Sequence, residues 1–188
     1  MIYADFTINW LNKNYYENLP NGWSISNLKS ITSKIVDGNH NPPCGLTEKT
    51  KYLMLSSQNI GDNQIINLHK VRYLSEEQFK IENKRTNICI NDILFTSVGT
   101  IGRSCIYNGE LNICFQRSVS VMTSLINPEY IKLYLDAPKQ QDYFIRESSG
   151  TAQKGFYLNQ LSRLFVLIPP CLEQNRIVSK VKHLFSQI

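Results

Sequence analysis

The stretch at residues 148–188 contains the side chains best suited to contact a ligand. Its first part, residues 150–155, is a polar loop bracketed by glycines that carries Thr151, Gln153 and Lys154. Such a loop offers backbone N–H groups, a hydroxyl, an amide and a cation with no bulky side chain in the way. These groups suit phosphate oxygens or the edges of bases. The alternative interpretation is that the loop packs against its own domain and supports the element that follows.

Two further segments place polar groups between apolar runs. Residues 99–103 read Gly-Thr-Ile-Gly-Arg, so glycine N–H donors lie beside Thr100 and Arg103. The Gly-Lys-Ser/Thr ending of a phosphate-binding loop is missing from this segment, which favours a tight hairpin with Arg103 at the surface. Asn39 and His40 lie in an earlier turn, where they could hold the turn or reach into a nucleic-acid groove.

Residue types that commonly carry catalysis or bind metals are scattered along the chain. The five cysteines form no Cys-x-x-Cys pair, and their odd number argues against a disulfide framework, so we predict reduced thiols in the cytosol. The three histidines lie far apart in sequence, and we expect no metal site. Asn41-Pro42-Pro43 is similar to the start of an amino-methyltransferase motif, but Cys44 stands where that motif has an aromatic ring.

Composition sets the class of protein. The chain has 188 residues, 42% hydrophobic and 19% charged, which is enough to build one domain of ordinary size with a substantial core. The net charge of +5 favours a polyanionic partner. Residues 1–10 lack the basic start and long apolar run of a signal peptide, and no segment approaches the roughly 20 apolar residues of a membrane span. We therefore expect a cytoplasmic protein with no membrane partner.

The segment at residues 24–35 has two possible structures. Ile25, Leu28, Ile31 and Ile35 recur at helical spacing, which predicts a helix capped by Ser24. A strand is the competing prediction for residues 33–36.

The middle of the chain predicts strands with helices inserted between them. Residues 88–98 become solidly apolar and predict a central strand, and Asn108-Gly109 predicts a hairpin turn between two neighbouring strands. The predicted strands are residues 52–60, 65–66, 88–98, 104–107 and 113–122. The predicted helices are a turn capped by Ser75 with Gln78, residues 128–135 beginning at Pro128, and residues 140–146. The irregular order of these elements predicts a mixed α+β domain with a largely antiparallel sheet.

The end of the chain changes its pattern at two prolines. An apolar run at residues 164–168 predicts a short buried strand that Pro169-Pro170 stops, and a helix is expected from Leu172. Its apolar residues follow spacings of four, three and four, which is the seam of a coiled coil. These residues are Ile177, Val181, Leu184 and Ile188. The competing interpretation is an ordinary amphipathic helix that packs on its own domain.

Five short motifs follow one another along the chain, and together they resemble one target recognition domain from the DNA specificity subunit of a type I restriction-modification system. The resemblance spans residues 19–188 and includes the start of a conserved spacer helix. The motifs are Leu19-Pro20-Asn21-Gly22-Trp23; Asp37-Gly38-Asn39-His40; Asn91-Asp92-Ile93-Leu94-Phe95-Thr96 with Gly99-Thr100-Ile101-Gly102-Arg103; Gly150-Thr151-Ala152-Gln153-Lys154-Gly155 with Tyr157-Leu158-Asn159; and Leu167-Ile168-Pro169-Pro170 with Leu172-Glu173-Gln174 and Arg176-Ile177.

The resemblance implies a division of the chain and a role without catalysis. Residues 1–18 would be an N-terminal arm, residues 19–170 the target recognition domain, and residues 171–188 the start of a protruding spacer helix of coiled-coil type. The domain would read one half of a bipartite DNA sequence. S-adenosylmethionine, ATP and Mg²⁺ are expected on the partner methyltransferase and restriction subunits, and no cofactor in this chain.

The resemblance also implies that the helix pairs with a second copy of itself or with a second half-subunit. A complete specificity subunit would carry two such domains, and this sequence has no internal repeat. The chain would therefore be a half-length subunit that dimerises, or a fragment.

On this reading we expect seven residues to contact DNA. They are Asn39, His40, Thr100, Arg103, Thr151, Gln153 and Lys154. One alternative is an enzyme that binds a phosphorylated or nucleotide substrate through residues 99–103. Another is an oligomerisation module whose basic charge is incidental.

Overall fold

The computed structural model describes residues 19–150 and 153–187, so the expected N-terminal arm lies outside it. This part of the chain forms strands and helices in an irregular order. The strands are β1 (Ser24–Asn27), β2 (Thr32–Asp37), β3 (Tyr52–Leu55), β4 (Arg72–Leu74), β5 (Ile93–Thr96), β6 (Ser104–Ile106), β7 (Asn112–Phe115), β8 (Val119–Ser124) and β9 (Phe165–Ile168). The helices are α1 (Glu76–Thr86), α2 (Pro128–Asp136), α3 (Pro138–Glu147), α4 (Leu158–Arg163) and α5 (Cys171–Phe185).

The strands form three sheets. A four-stranded antiparallel sheet has the order β2-β8-β5-β6, and a three-stranded sheet has the order β4-β3-β7. Strands β1 and β9 form a separate antiparallel pair, while β3 and β7 run parallel. The predicted mixed, largely antiparallel α+β fold with inserted helices is confirmed.

The core lies on both faces of the four-stranded sheet. On β5, Ile93 and Phe95 face a cluster that includes Phe144 of α3 and residues of α2. Leu94 faces the other way and packs with residues of the three-stranded sheet. Successive side chains of a strand point to opposite faces, so a strand buried on both faces must be apolar throughout. This explains the solid apolar run that predicted a central strand.

The helical prediction for residues 24–35 is wrong. The segment is β1, a short 3-10 turn at Leu28–Ile31 and β2, and the strand alternative at residues 33–36 is confirmed. The Asn27 side chain accepts a hydrogen bond from the Ser30 backbone N–H at 2.9 Å and so begins a single turn. Ile25 pairs with Leu167 of β9, a partner that spacing within the segment cannot reveal.

The predicted hairpin at Asn108-Gly109 is also wrong. The chain bends at Gly109, which has positive φ, but β6 pairs with β5 whereas β7 pairs with β3 in the other sheet. The single strand predicted over residues 113–122 is two strands, β7 and β8, which belong to different sheets. The predicted strand at residues 65–66 is reduced to one bridge between Ile60 and Ile65.

The predicted starts of α1 and α2 are confirmed. The Ser75 hydroxyl accepts from the Gln78 N–H at 3.1 Å and the Gln78 side chain accepts from the Ser75 N–H at 3.0 Å, so α1 begins with a capping box. Pro128 is the first residue of α2, and α3 follows directly after it. All five cysteines are free thiols in the structure.

The first part of helix α5 packs against the domain, and the helix lies along α2. The buried Gln174 side chain donates to the Pro169 carbonyl at 2.9 Å and accepts from the Asn127 N–H at 3.1 Å. Val178 is only 4% exposed in the core. Farther along, Lys182 and Glu129 of α2 form an ion pair. No helix in the described ranges is both long and apolar enough to cross a bilayer.

Candidate functional site

The turn between β7 and β8, residues 116–118, connects loops that are distant in sequence. The Asn39 N–H donates to the Phe115 carbonyl at 2.8 Å, and the Arg117 N–H donates to the Asn39 carbonyl at 2.9 Å. Gly38 sits so close to this turn that a Cβ atom on it would lie 2.2 Å from the Phe115 carbonyl oxygen. The turn that carries Asn39 and His40 is therefore fixed against residues 116–118.

Ser118 extends these connections in two directions. Its hydroxyl accepts a hydrogen bond from the Ser57 N–H at 3.0 Å, which fixes the 3-10 turn after β3. Its carbonyl accepts from the Ser97 N–H at 2.9 Å, where β5 runs into the 99–103 hairpin. One turn therefore holds both the end of β3 and the end of β5.

The loop at residues 153–155 adds to the same surface. Gly155 forms a bridge with Val98, and the Phe156 N–H donates to the Ser97 carbonyl at 2.8 Å. Gly99 faces this loop, because a Cβ atom on it would lie 3.9 Å from the Gln153 amide nitrogen. We call this surface the loop edge, and it is formed by residues 38–40, 56–58, 97–103, 116–118 and 153–155.

The loop edge brings together the three segments that the sequence singled out. The side-chain amide of Asn39 is hydrogen-bonded within the domain. Its Nδ2 donates to Glu82 at 2.6 Å and its Oδ1 accepts from the Asn41 N–H at 2.8 Å. His40 is exposed, with Nε2 at 2.6 Å from Asp37 Oδ2. His40 therefore has the free surface that Asn39 lacks.

The two hairpin residues lie at the surface. Thr100 is exposed, and its hydroxyl donates to the Ser57 carbonyl at 3.4 Å. Arg103 is exposed, as the tight-hairpin prediction required, and its guanidinium is paired with nothing in the described part of the chain. Gly99 and Gly102 adopt positive φ in this hairpin, a conformation that glycine takes without strain.

The loop at residues 153–155 contributes one side-chain amide and one cation to the loop edge. Gln153 and Lys154 are both exposed, and Lys154 forms no ion pair within residues 19–150 and 153–187. Thr151 lies outside the described residues. The Tyr157 hydroxyl donates to the Gln153 carbonyl at 3.2 Å, so the backbone of this loop is held while its side chains point to solvent.

Arg117 belongs to this site and was missing from the predicted set. Its side chain is exposed at the centre of the loop edge and contacts no hydrogen-bonding or acidic partner that the structure describes. The sequence carried a signal, because Gln116-Arg117-Ser118 interrupts an apolar run. Interpreting that run as one strand concealed the turn.

The electrostatics of the loop edge favour a polyanion. Arg103, Arg117 and Lys154 bring three cations, whereas the nearby Asp37 carboxylate is already paired with Arg85 and His40. Unpaired cations beside amides and hydroxyls can neutralise phosphates and hydrogen-bond base edges. Among the described residues, no group of three His, Cys, Asp or Glu side chains could hold a metal ion.

Comparison with known proteins identifies the family. A family model described as the type I restriction modification DNA specificity domain matches residues 20–188. The chain belongs to this family. The resemblance inferred from the five motifs is therefore confirmed.

Similar proteins are specificity subunits of type I restriction enzymes. The EcoBI specificity subunit of Escherichia coli is 28% identical over 179 residues, which are 92% of this chain and 37% of that protein. A putative specificity subunit of Haemophilus influenzae is 36% identical over 112 residues, which are 57% of this chain and 28% of that protein. The chain thus spans well under half the length of these relatives.

Solved structures share the fold. The HsdS subunit from Thermoanaerobacter tengcongensis superposes with a TM-score of 0.66 at 17% identity, over 90% of this chain and 39% of that one. The S subunit of the type I restriction-modification system from M. genitalium gives a TM-score of 0.60 at 16% identity, over 89% of this chain and 41% of that one.

Proposed function

We propose that this domain recognises one half of a bipartite DNA target and performs no catalysis itself. The observation that carries the proposal is the loop edge, where Arg103, Arg117 and Lys154 lie without acidic partners beside Thr100 and Gln153. Lysine and arginine would supply affinity for phosphates that is independent of sequence. Amide, hydroxyl and guanidinium groups would discriminate bases in the major groove.

The proposal includes the partners expected for the family. Methyltransferase and restriction subunits would carry the chemistry together with S-adenosylmethionine, ATP and Mg²⁺, in the cytoplasm. Residues 19–170 would form the recognition domain, and residues 171–188 would begin the spacer helix that pairs with a second helix of its kind. Of the four predicted seam residues, Ile177 packs against the core, Val181 lines a cavity beside α2, Leu184 is 49% exposed and Ile188 lies outside the described residues. Exposure of Leu184 and of the neighbouring Phe185 (71%) supports pairing at the end of α5, since apolar side chains left in water favour a partner surface.

Equilibrium binding to duplex DNA tests the role of the loop edge. Fluorescence anisotropy with a labelled duplex of random sequence, repeated across a range of salt concentrations, gives the slope of log K against log salt. Each phosphate contact contributes about 0.9 to the magnitude of that slope. We expect Arg117→Ala and Lys154→Ala each to lower the magnitude by about 1 and the double variant by about 2.

Lys180→Ala is the matched control, because Lys180 is an exposed lysine on α5 and belongs to none of the loops. It should leave the slope unchanged. A wild-type slope near zero, or equal slopes for the wild type and the double variant, would contradict the proposal. An enzyme that binds a nucleotide through residues 99–103 would instead bind mononucleotides at high salt, where duplex affinity is lost.

The role in restriction and modification has a separate test. Mapping methylated adenines in the genome of the source organism should yield a bipartite motif with a fixed gap. Deleting the gene for this chain should remove that methylation, and its persistence would exclude the chain from the modification complex.

A further inference from the structure

A groove beside the loop edge lies between β2 and α4. It has a volume of about 420 Å³ and is lined by Lys29, Thr32, Ser33, Lys34, Ile35, Leu158, Asn159 and Ser162. Within the described residues, its lining contains hydroxyl, amide and ammonium groups and no carboxylate. This composition suits an extended anion and disfavours an acidic peptide side chain or a metal ion.

One end of the groove lies toward the loop edge, and Val36 and Asp37 separate its last β2 residue, Ile35, from the turn at residues 38–40. Strand β2 leads from Thr32 to Asp37, directly before the turn at residues 38–40. On the other wall, α4 begins two residues after Phe156, whose N–H is bonded to the Ser97 carbonyl. Both walls therefore run away from the loop edge in the same direction.

Two exposed cations lie at the far end. The Leu28 N–H donates to the Leu164 carbonyl at 2.8 Å, which places Lys29 and Arg163 on adjacent pieces of backbone. Arg163 is not a lining residue, but it follows the lining residue Asn159 by four residues and so lies on the same face of α4, beyond the end of the groove. Neither Lys29 nor Arg163 pairs with a carboxylate within the part of the chain that the structure describes.

The other lysine of the groove, Lys34, is paired within the domain. Lys34 pairs with the buried Asp92 at 2.8 Å and donates to the Asn87 carbonyl at 2.8 Å. The cations left for a ligand are therefore Lys29 and Arg163. Between these cations and the loop edge, the groove walls supply the neutral polar side chains of Thr32, Ser33, Asn159 and Ser162 together with the apolar side chains of Ile35 and Leu158.

The length of the groove matches a short run of phosphates. The residues of β2 that line the groove run from Thr32 to Ile35, which is three residue steps or about 10 Å at a strand rise of about 3.3 Å. Successive phosphates of one strand advance by about 3.4 Å along the duplex axis and lie farther apart along the backbone itself, so the groove holds no more than about three of them.

We propose that this groove, ending at Lys29 and Arg163, holds the phosphate backbone of the DNA flanking the bases read at the loop edge. The inference rests on the proposed function, because it requires a duplex already seated on the loop edge. The contact would position the domain without reading sequence, since phosphates are the same at every base pair.

The test is the double variant Lys29→Ala/Arg163→Ala of the full chain, compared with the wild type in the same salt titration. We expect the magnitude of the slope to fall by about 2, with an equal proportional loss of affinity for duplexes of different sequence. Arg163→Lys keeps the charge and should restore about half of the lost slope when combined with Lys29→Ala. Both side chains are exposed, so the thermal unfolding midpoint should not move.

The outcomes separate this inference from the proposed function. If the groove variant binds DNA as the wild type does while Arg117→Ala/Lys154→Ala lowers the slope, the groove inference is wrong and the proposed function stands. If neither variant changes the slope, both are wrong. A groove variant that binds DNA normally but fails to assemble with the methyltransferase subunit would assign the groove to a protein partner, which also overturns the inference.

Discussion

The Ser118 hydroxyl accepts a hydrogen bond from the Ser57 backbone N–H at 3.0 Å, across 61 residues of sequence. Ser118 lies just before β8 of the four-stranded sheet, and Ser57 lies just after β3 of the three-stranded sheet. The bond therefore links the two sheets at the surface where the candidate DNA contacts gather.

Removing the Ser118 hydroxyl should weaken both the fold and the site. Ser118→Ala leaves the part-buried Ser57 N–H without its acceptor, and we expect a loss of about 1–2 kcal/mol in the free energy of unfolding. Urea denaturation followed by circular dichroism measures it. Ser33→Ala is the control, because the Ser33 hydroxyl is exposed and its bond to the Thr123 carbonyl is 3.5 Å long. Equal losses for both variants would show that the Ser118 bond does not stabilise the fold.

Gly38 should tolerate no side chain. A Cβ atom there would meet the Phe115 carbonyl oxygen at 2.2 Å, and backbone cannot move aside as a side chain can. We expect Gly38→Ala to cost about 3 kcal/mol or more and to lower DNA affinity by displacing the turn at residues 38–40. Gly61→Ala provides the comparison, since its nearest neighbour is a methyl group of Ile66 at 3.0 Å. A Gly38 variant as stable as the Gly61 variant would contradict the packing described here.

The cysteines should divide into two classes toward a thiol reagent. Burial raises the pKa of Cys105 and of Cys114 from 9.0 to about 12, so at pH 8 almost no thiolate forms at either site. Cys44, Cys89 and Cys171 are exposed. Labelling the native protein with a chromogenic disulfide at pH 8 should modify these three rapidly and the other two only after unfolding. Rapid labelling of all five would contradict the burial of β6 and β7.

The same shifts predict how stability changes at high pH. A raised pKa means that the folded state keeps its thiol proton when the unfolded chain has lost it. The contribution to stability is therefore complete below about pH 8.5 and is lost as pH rises toward 12. Thermal melts between pH 8 and pH 11 should show a falling midpoint. Cys114→Ala, which removes one of the two titrating thiols, should show a smaller decline from its own starting value.

Substitutions in the middle and at the end of helix α5 should have different effects on the free energy of unfolding. Val178 is 4% exposed against the core, and Val178→Ala should lower the free energy of unfolding by about 2 kcal/mol. Leu184 is 49% exposed, and Leu184→Ala should change the free energy of unfolding by less than about 0.5 kcal/mol. If the end of the helix pairs with a second helix, the Leu184 variant should instead shift sedimentation toward the monomer. Equal stability losses would mean that the whole helix packs on its own domain.

Much of the local structure could be predicted because its causes lie close together in sequence. The Ser75 cap acts over three residues, Pro128 fixes the first turn of α2 by its own ring, and the buried strand β5 is apolar over a short run. At residues 24–35 the same reasoning failed. The spacing of Ile25 and Ile35 fits a helix. The segment forms strands instead, because β1 pairs with β9 and β2 pairs with β8, and both partners are distant in sequence.

The candidate site was predictable in its parts but not in its assembly. Glycine and polar residues marked the turn at Asn39 and the hairpin at Thr100, which are loop signals of short range. Their proximity depends on the turn at residues 116–118, where β7 leaves one sheet and β8 enters another. An apolar run with a polar interruption does not distinguish one strand from two. Arg117 was therefore absent from the predicted site.

Hydrogen–deuterium exchange with and without duplex DNA tests the central claim most directly. Peptides covering residues 97–103, 116–118 and 153–155 should exchange more slowly in the complex, because DNA seated on the loop edge would shield their backbone amides. The effect should disappear at high salt, in parallel with binding. Unchanged exchange in these peptides, together with protection on α1 or α5 at the same DNA saturation, would contradict recognition through the loop edge.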